Sequence, residues 1–123
     1  MLSLAANRRL AIVAGILLPL LELIRRRSEL ALWWHWIDDV LIGACLLTAA
    51  WAARAHPASR RPALAGAWGI ASGMGYCSFV GHVLEAQARD VSGLPGGTLA
   101  AAVGAAWLIA LYALASALWG RGT

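Results

Sequence analysis

Trp33-Trp34-His35-Trp36-Ile37-Asp38-Asp39 heads a long apolar run from Val40 to Ala53. Tryptophan favours the boundary between water and lipid, because its amphipathic ring settles at headgroup level. Two adjacent aspartates just inside such a belt are costly to hold near hydrocarbon. The stretch therefore reads as the point where a helix enters a bilayer, and as a polar spot on an otherwise apolar segment.

The surrounding composition agrees. The chain has 123 residues, which suits one domain over 1–123; 61% of them are hydrophobic and 13% charged. Soluble domains run at about 45–50% apolar and about 25% charged. A soluble fold of this size would have nowhere to hide so much apolar surface, so lipid is the expected solvent. The formal charge of +4 is carried by ten arginines and no lysine. These arginines cluster at the ends of apolar runs and form no stripe along a helix, which argues for topogenic charges and against nucleic acid. Cys45 and Cys77 both lie inside apolar runs, where a thiol packs as a small hydrophobe.

Four helices are predicted, at about 10–24, 33–53, 63–84 and 99–119. The fold class is all-α, an integral membrane four-helix bundle with four transmembrane crossings. The first run resembles a signal peptide at its start. Glu22 and Arg25-Arg26-Arg27 then follow without a small-residue cleavage pattern, so a retained helix is expected. Fifteen residues span only about 22 Å against a hydrocarbon core of about 30 Å. The helix must therefore recruit residues from Leu2 onward, with Arg8 and Arg9 snorkelling to the interface. Pro19 cannot donate to the carbonyl of Gly15, which predicts a bend there. Pro57 and Pro62 punctuate the second link, and Ser92-Gly93-Leu94-Pro95-Gly96-Gly97 closes the third.

The third helix carries Gly69, Gly73, Cys77 and Gly81 at steps of four, a ridge of small side chains that lets another backbone approach. Packing within the chain is the expected use, and a dimer interface is the alternative. Ala101, Ala105, Ala113 and Ala117 are expected to extend the theme along one face of the fourth helix.

Four crossings put both termini on one side, with Arg8, Arg9, Arg54, Arg60, Arg61 and Arg121. The other side holds Arg25, Arg26, Arg27 and Arg89. The positive-inside rule then predicts a cytoplasmic (inner) membrane protein with both termini in the cytoplasm. All six acids fall toward the four-arginine side, joined by His35 and His82.

Within a helix, His35, Asp38 and Asp39 would share a face, as would His82 and Glu85. Antiparallel neighbours would bring these five to similar depth, with Glu22 beside them. Imidazole and carboxylate together suit a divalent metal or a proton relay. The competing expectation is plain ion pairing of Glu22, Asp38 and Asp39 with Arg25, Arg26 or Arg27. His35 and His82 also permit a bis-histidine haem site. No nucleophile elbow, phosphate loop or dinucleotide fingerprint is present in the sequence.

In size and helix number the chain is similar to small multidrug exporters and small fluoride channels. Gly73-Met74-Gly75-Tyr76-Cys77-Ser78-Phe79 faintly resembles the glycine-rich break of the latter. The likeness stops at architecture. Glu22 stands at the end of the first helix and not at its middle, and the threonines of the fluoride-channel break are missing, so no site residue follows from either family.

The sequence thus predicts a small non-enzymatic membrane protein, an accessory subunit or a self-associating bundle. Its partners would be the lipid bilayer and itself or a larger membrane complex. A small transporter or channel using the acid and histidine cluster is the second reading, and a haem electron carrier the third. No cofactor is expected on the first reading; a divalent metal or haem belongs to the others.

Overall fold

The computed structural model describes residues 1–120. Four helices follow in order: α1 (Leu4–Arg25), α2 (Ile37–Ala55), α3 (Arg60–Leu84) and α4 (Gly96–Trp119). Short 3-10 turns at Trp33–His35 and Pro57–Ser59 precede α2 and α3. The described residues contain no strand, only an isolated bridge between Arg89 and Pro95. The all-helical, four-helix expectation is met.

Local chemistry sets the helix ends. Ser3 caps α1, its hydroxyl accepting from the Ala6 amide at 3.2 Å. The helix therefore starts at Leu4, well before Leu10, and its 22 residues reach about 33 Å. Arg8 and Arg9 lie within it, as the recruitment of residues from Leu2 onward required. Pro62 falls in the first turn of α3, where a missing N–H removes no helical bond, so α3 begins at Arg60 and not at Ala63. The α3–α4 link turns back on itself at Gly93, whose φ of 85° suits glycine. A Cβ on Gly96 would meet the Ala88 carbonyl at 2.5 Å, so α4 opens on a glycine pressed against that link.

The helices form two antiparallel hairpins. α1 packs on α2 and α3 packs on α4, with α2 against α3 joining the pairs; α1 has few contacts with α3 and α4. At the α1–α2 crossing Gly15 faces Gly43, and Pro19 covers Gly43. At the α3–α4 crossing the rings and notches are exchanged. Phe79 lies over Gly104 and Trp107 over Gly75, and the two rings stack 5.6 Å apart. The buried core is slim and rich in alanine, including Ala11, Ala49, Ala50, Ala53, Ala67, Ala71, Ala110, Ala113 and Ala117, with Ile42, Leu46, Leu64 and Trp68 as its large members. Large apolar side chains lie outside instead, among them Ile16, Leu21, Leu41, Trp51, Ile70, Leu108 and Ile109.

By length and apolarity two helices, α1 and α4, can cross a membrane. α2 opens with Asp38 and Asp39 and closes with Arg54, while α3 is diluted by five glycines.

Two expectations about packing are corrected. The ridge of Gly69, Gly73, Cys77 and Gly81 is not buried within the chain. A side chain built on any of its three glycines meets nothing within 4 Å, and Cys77 is exposed. The packed glycine of that helix is Gly75, whose Cβ would stand 3.2 Å from the Trp107 ring. On α4, Ala113 and Ala117 are buried while Ala101 and Ala105 are exposed. Steps of four drift by about 40° each, so twelve residues carry the row off its first face.

Candidate functional site

The charged end of the bundle is built around Arg25, in the last turn of α1. Its guanidinium grips Glu22 with two parallel bonds, Nε to Oε2 at 2.7 Å and Nη2 to Oε1 at 2.6 Å. Its Nη1 donates to Asp90 of the α3–α4 link at 2.6 Å. Arg26 Nε also donates to Glu22 at 2.5 Å, and its Nη1 reaches Glu29 at 3.4 Å. The Arg25, Glu22 and Asp90 side chains are each about nine-tenths buried. Bidentate geometry and low exposure make this a strong ion pair of the kind that is costly to break from one side.

Asp90 is further held by Ser92, whose amide donates at 3.0 Å and whose hydroxyl donates at 2.6 Å. Burial pushes the Asp90 carboxyl up, but the two Ser92 bonds and the Arg25 charge outweigh it and hold the group below the ordinary aspartate value. The loop is thereby tied to the end of α1.

The predicted pocket residues are only partly assembled. Asp38 is exposed and Asp39 half-buried, as positions about 100° apart on a helix require. Asp39 has Glu22, Asp38, Arg25 and Arg26 as its charged neighbours. His35 lies on the 3-10 turn and not on α2, so the shared helix face predicted for it with Asp38 and Asp39 does not exist. Trp36, with φ −129° and ψ −7°, separates the two elements. His35 Nδ1 stands 3.3 Å from Arg26 Nη1 and 3.7 Å from Glu29. His82 is half-buried and Glu85 exposed, and among the described residues neither bonds to the cluster. No group of three His, Cys, Asp or Glu among the described residues is disposed to hold a metal ion.

A second polar centre, which the sequence reading missed, lies at the terminal end. Asn7 of α1 is fully buried. Its amide donates to the Ala113 carbonyl of α4 at 2.7 Å, and its Oδ1 accepts from Trp68 Nε1 of α3 at 2.8 Å. Ser116, also fully buried, accepts from the Leu2 amide at 3.2 Å. Arg61 donates to the last carbonyls of α4, at Ala117 (3.2 Å), Leu118 (3.1 Å) and Gly120, which suits a cation at a helix C-terminus. Leu2 and Gly120 therefore lie at the same end of the bundle. Arg121 lies outside the described residues. The available signal was that Asn7 is the single asparagine of the chain. A lone amide in an apolar helix commonly bonds across to a neighbour.

No family model matches the chain, and neither the curated proteins nor the solved structures contain a match to it.

Proposed function

We propose that this chain is a non-enzymatic integral membrane protein of four crossings that works by associating, helix to helix, with a second copy of itself. The observation that carries this reading is the open ridge of α3. Gly69, Gly73 and Gly81 have unfilled space where side chains would stand, and Cys77 is exposed between them. In lipid, where apolar side chains gain nothing by leaving solvent, small residues drive association by letting backbones approach. The large apolar side chains exposed on all four helices, such as Val13, Leu41, Ile70 and Leu108, support lipid as the surrounding medium. The six-to-four arginine distribution supports both termini in the cytoplasm of an inner membrane.

Cys77 supplies the test. In membranes carrying a Cys45→Ser background, mild oxidation should link two copies through Cys77 into a dimer on non-reducing gels. A chain that stays monomeric under oxidation in its own membrane contradicts the reading.

A second reading, proton or cation passage past the charged end, draws on Asp39. It is half-buried and accepts no hydrogen bond from a side chain among the described residues. Flux into proteoliposomes that Asp39→Asn abolishes would favour it over simple association.

A further inference from the structure

At the terminal end, the first turn of α1 passes the last turn of α2 and the start of α3. Leu4, Ala5, Arg8, Ala53, Arg54 and Arg60 line a cleft of about 190 Å³ there. Three arginines, Arg8, Arg54 and Arg60, thus line the cleft together with the apolar residues Leu4, Ala5 and Ala53. Arg60 is anchored by its Nε, which donates to the Ala53 carbonyl at 2.9 Å, and its Nη groups make no bond to the described residues. Arg8 and Arg54 make none either.

Among the described residues no acid pairs with this charge. Every ion pair among the described residues belongs to Arg25, Arg26 or His35 at the opposite end. All six acids lie toward that end: Glu22, Glu29, Asp38, Asp39, Glu85 and Asp90. Three arginines around one cleft repel one another unless an anion sits among them. Guanidinium matches phosphate with paired N–H donors, and a basic pocket between helices at the membrane edge is a known form of headgroup site.

We infer that this cleft binds a phosphate group, carried by an anionic phospholipid headgroup or present as free phosphate. The inference concerns the terminal end alone and does not rest on association through α3. Arg8 and Arg54 would contact the phosphate from α1 and α2, Arg60 from α3, and Leu4 and Ala53 would form the apolar side.

The test uses the full chain in a nonionic detergent. Phosphatidylglycerol retention is read by native mass spectrometry against phosphatidylcholine, and inorganic phosphate is added separately. Arg8→Gln/Arg54→Gln removes two cleft charges that make no bond to the described residues, so the packing of the bundle is spared. Arg9→Gln/Arg27→Gln removes the same charge outside the cleft. The expected result is at least tenfold preference for phosphatidylglycerol, lost in the cleft variant and kept in the control. If inorganic phosphate at millimolar concentration displaces the lipid and raises Tm only in the wild type, free phosphate is the source; if it does neither, the headgroup is. Absence of any lipid preference together with no phosphate effect overturns the inference. So does an equal loss in both variants, which would reduce the effect to net charge.

Discussion

Gly15 and Gly43 meet backbone to backbone where α1 crosses α2. A Cβ on Gly43 would stand 2.6 Å from the Gly15 carbonyl oxygen and 2.9 Å from Cγ of Pro19. That carbonyl is the one Pro19 leaves without a helical donor. The Cα–H of Gly43 points at it, a weak but recurrent kind of contact at close helix crossings. The proline and the two glycines therefore form one arrangement, and the freed carbonyl is covered by the neighbouring helix.

Gly43→Ala should destabilise the bundle, because the obstructing atom is backbone and cannot swing away. Overpacking of this kind costs about 1–3 kcal/mol. The comparison is Gly69→Ala, which meets nothing within 4 Å and should leave Tm unchanged or slightly raised through better helix propensity. Thermal unfolding of the two variants in the same detergent checks the ordering, and equal shifts would refute the crossing geometry.

Asn7 should be the most sensitive polar residue of the chain. Asn7→Ala leaves the Trp68 indole N–H and the Ala113 carbonyl without their partner. Each stranded buried group costs about 1–3 kcal/mol. Trp68→Phe breaks only one of the two bonds but also removes packing volume. A double-mutant cycle on stability separates the terms, and a coupling near zero would mean that the Asn7–Trp68 bond contributes nothing.

The Asp90 tie sets an acid limb. Its carboxyl is held below the ordinary value of 3.8, chiefly by Ser92 and Arg25 acting against burial. A depressed carboxyl contributes stability that is fully present above its unfolded pKa and is lost as pH falls through the folded one. Tm should therefore hold from neutrality to about pH 5 and decline below about pH 4. Asp90→Asn should lower Tm at pH 7 and flatten that decline. An unchanged acid limb in the variant would show that the link is not held by this charge.

The helix number was legible because each apolar run is bracketed by arginine, proline or glycine. The boundaries were less so. The first apolar run begins only at Leu10, but the span length required residues from Leu2 onward, and Ser3 caps a helix that starts at Leu4, six residues before Leu10, and runs past both arginines. Trp33 to Trp36 read as helix, whereas their 3-10 turn takes His35 off α2 and dissolves the predicted His35–Asp39 face. Of the candidate cluster, Glu22 and the arginines after it were placed together by the sequence. Asp90 was not singled out, since a loop aspartate gives no sign of which helix end it will reach. The small-residue ridge told that a backbone can approach α3, not whose. Gly15 and Gly43, which do make such an approach, stand alone in their helices and form no periodic pattern.

The central claim is that the ridge of α3 joins two copies and does not hold one copy together. Gly73→Leu, in the Cys45→Ser background, tests it through two readings on one protein: Cys77 cross-linking in membranes, and Tm in excess detergent where copies are apart. The account predicts that the cross-linked dimer disappears while Tm stays level or rises, since leucine meets nothing within the chain and favours helix by about 1 kcal/mol over glycine. A fall in Tm with cross-linking intact would contradict it.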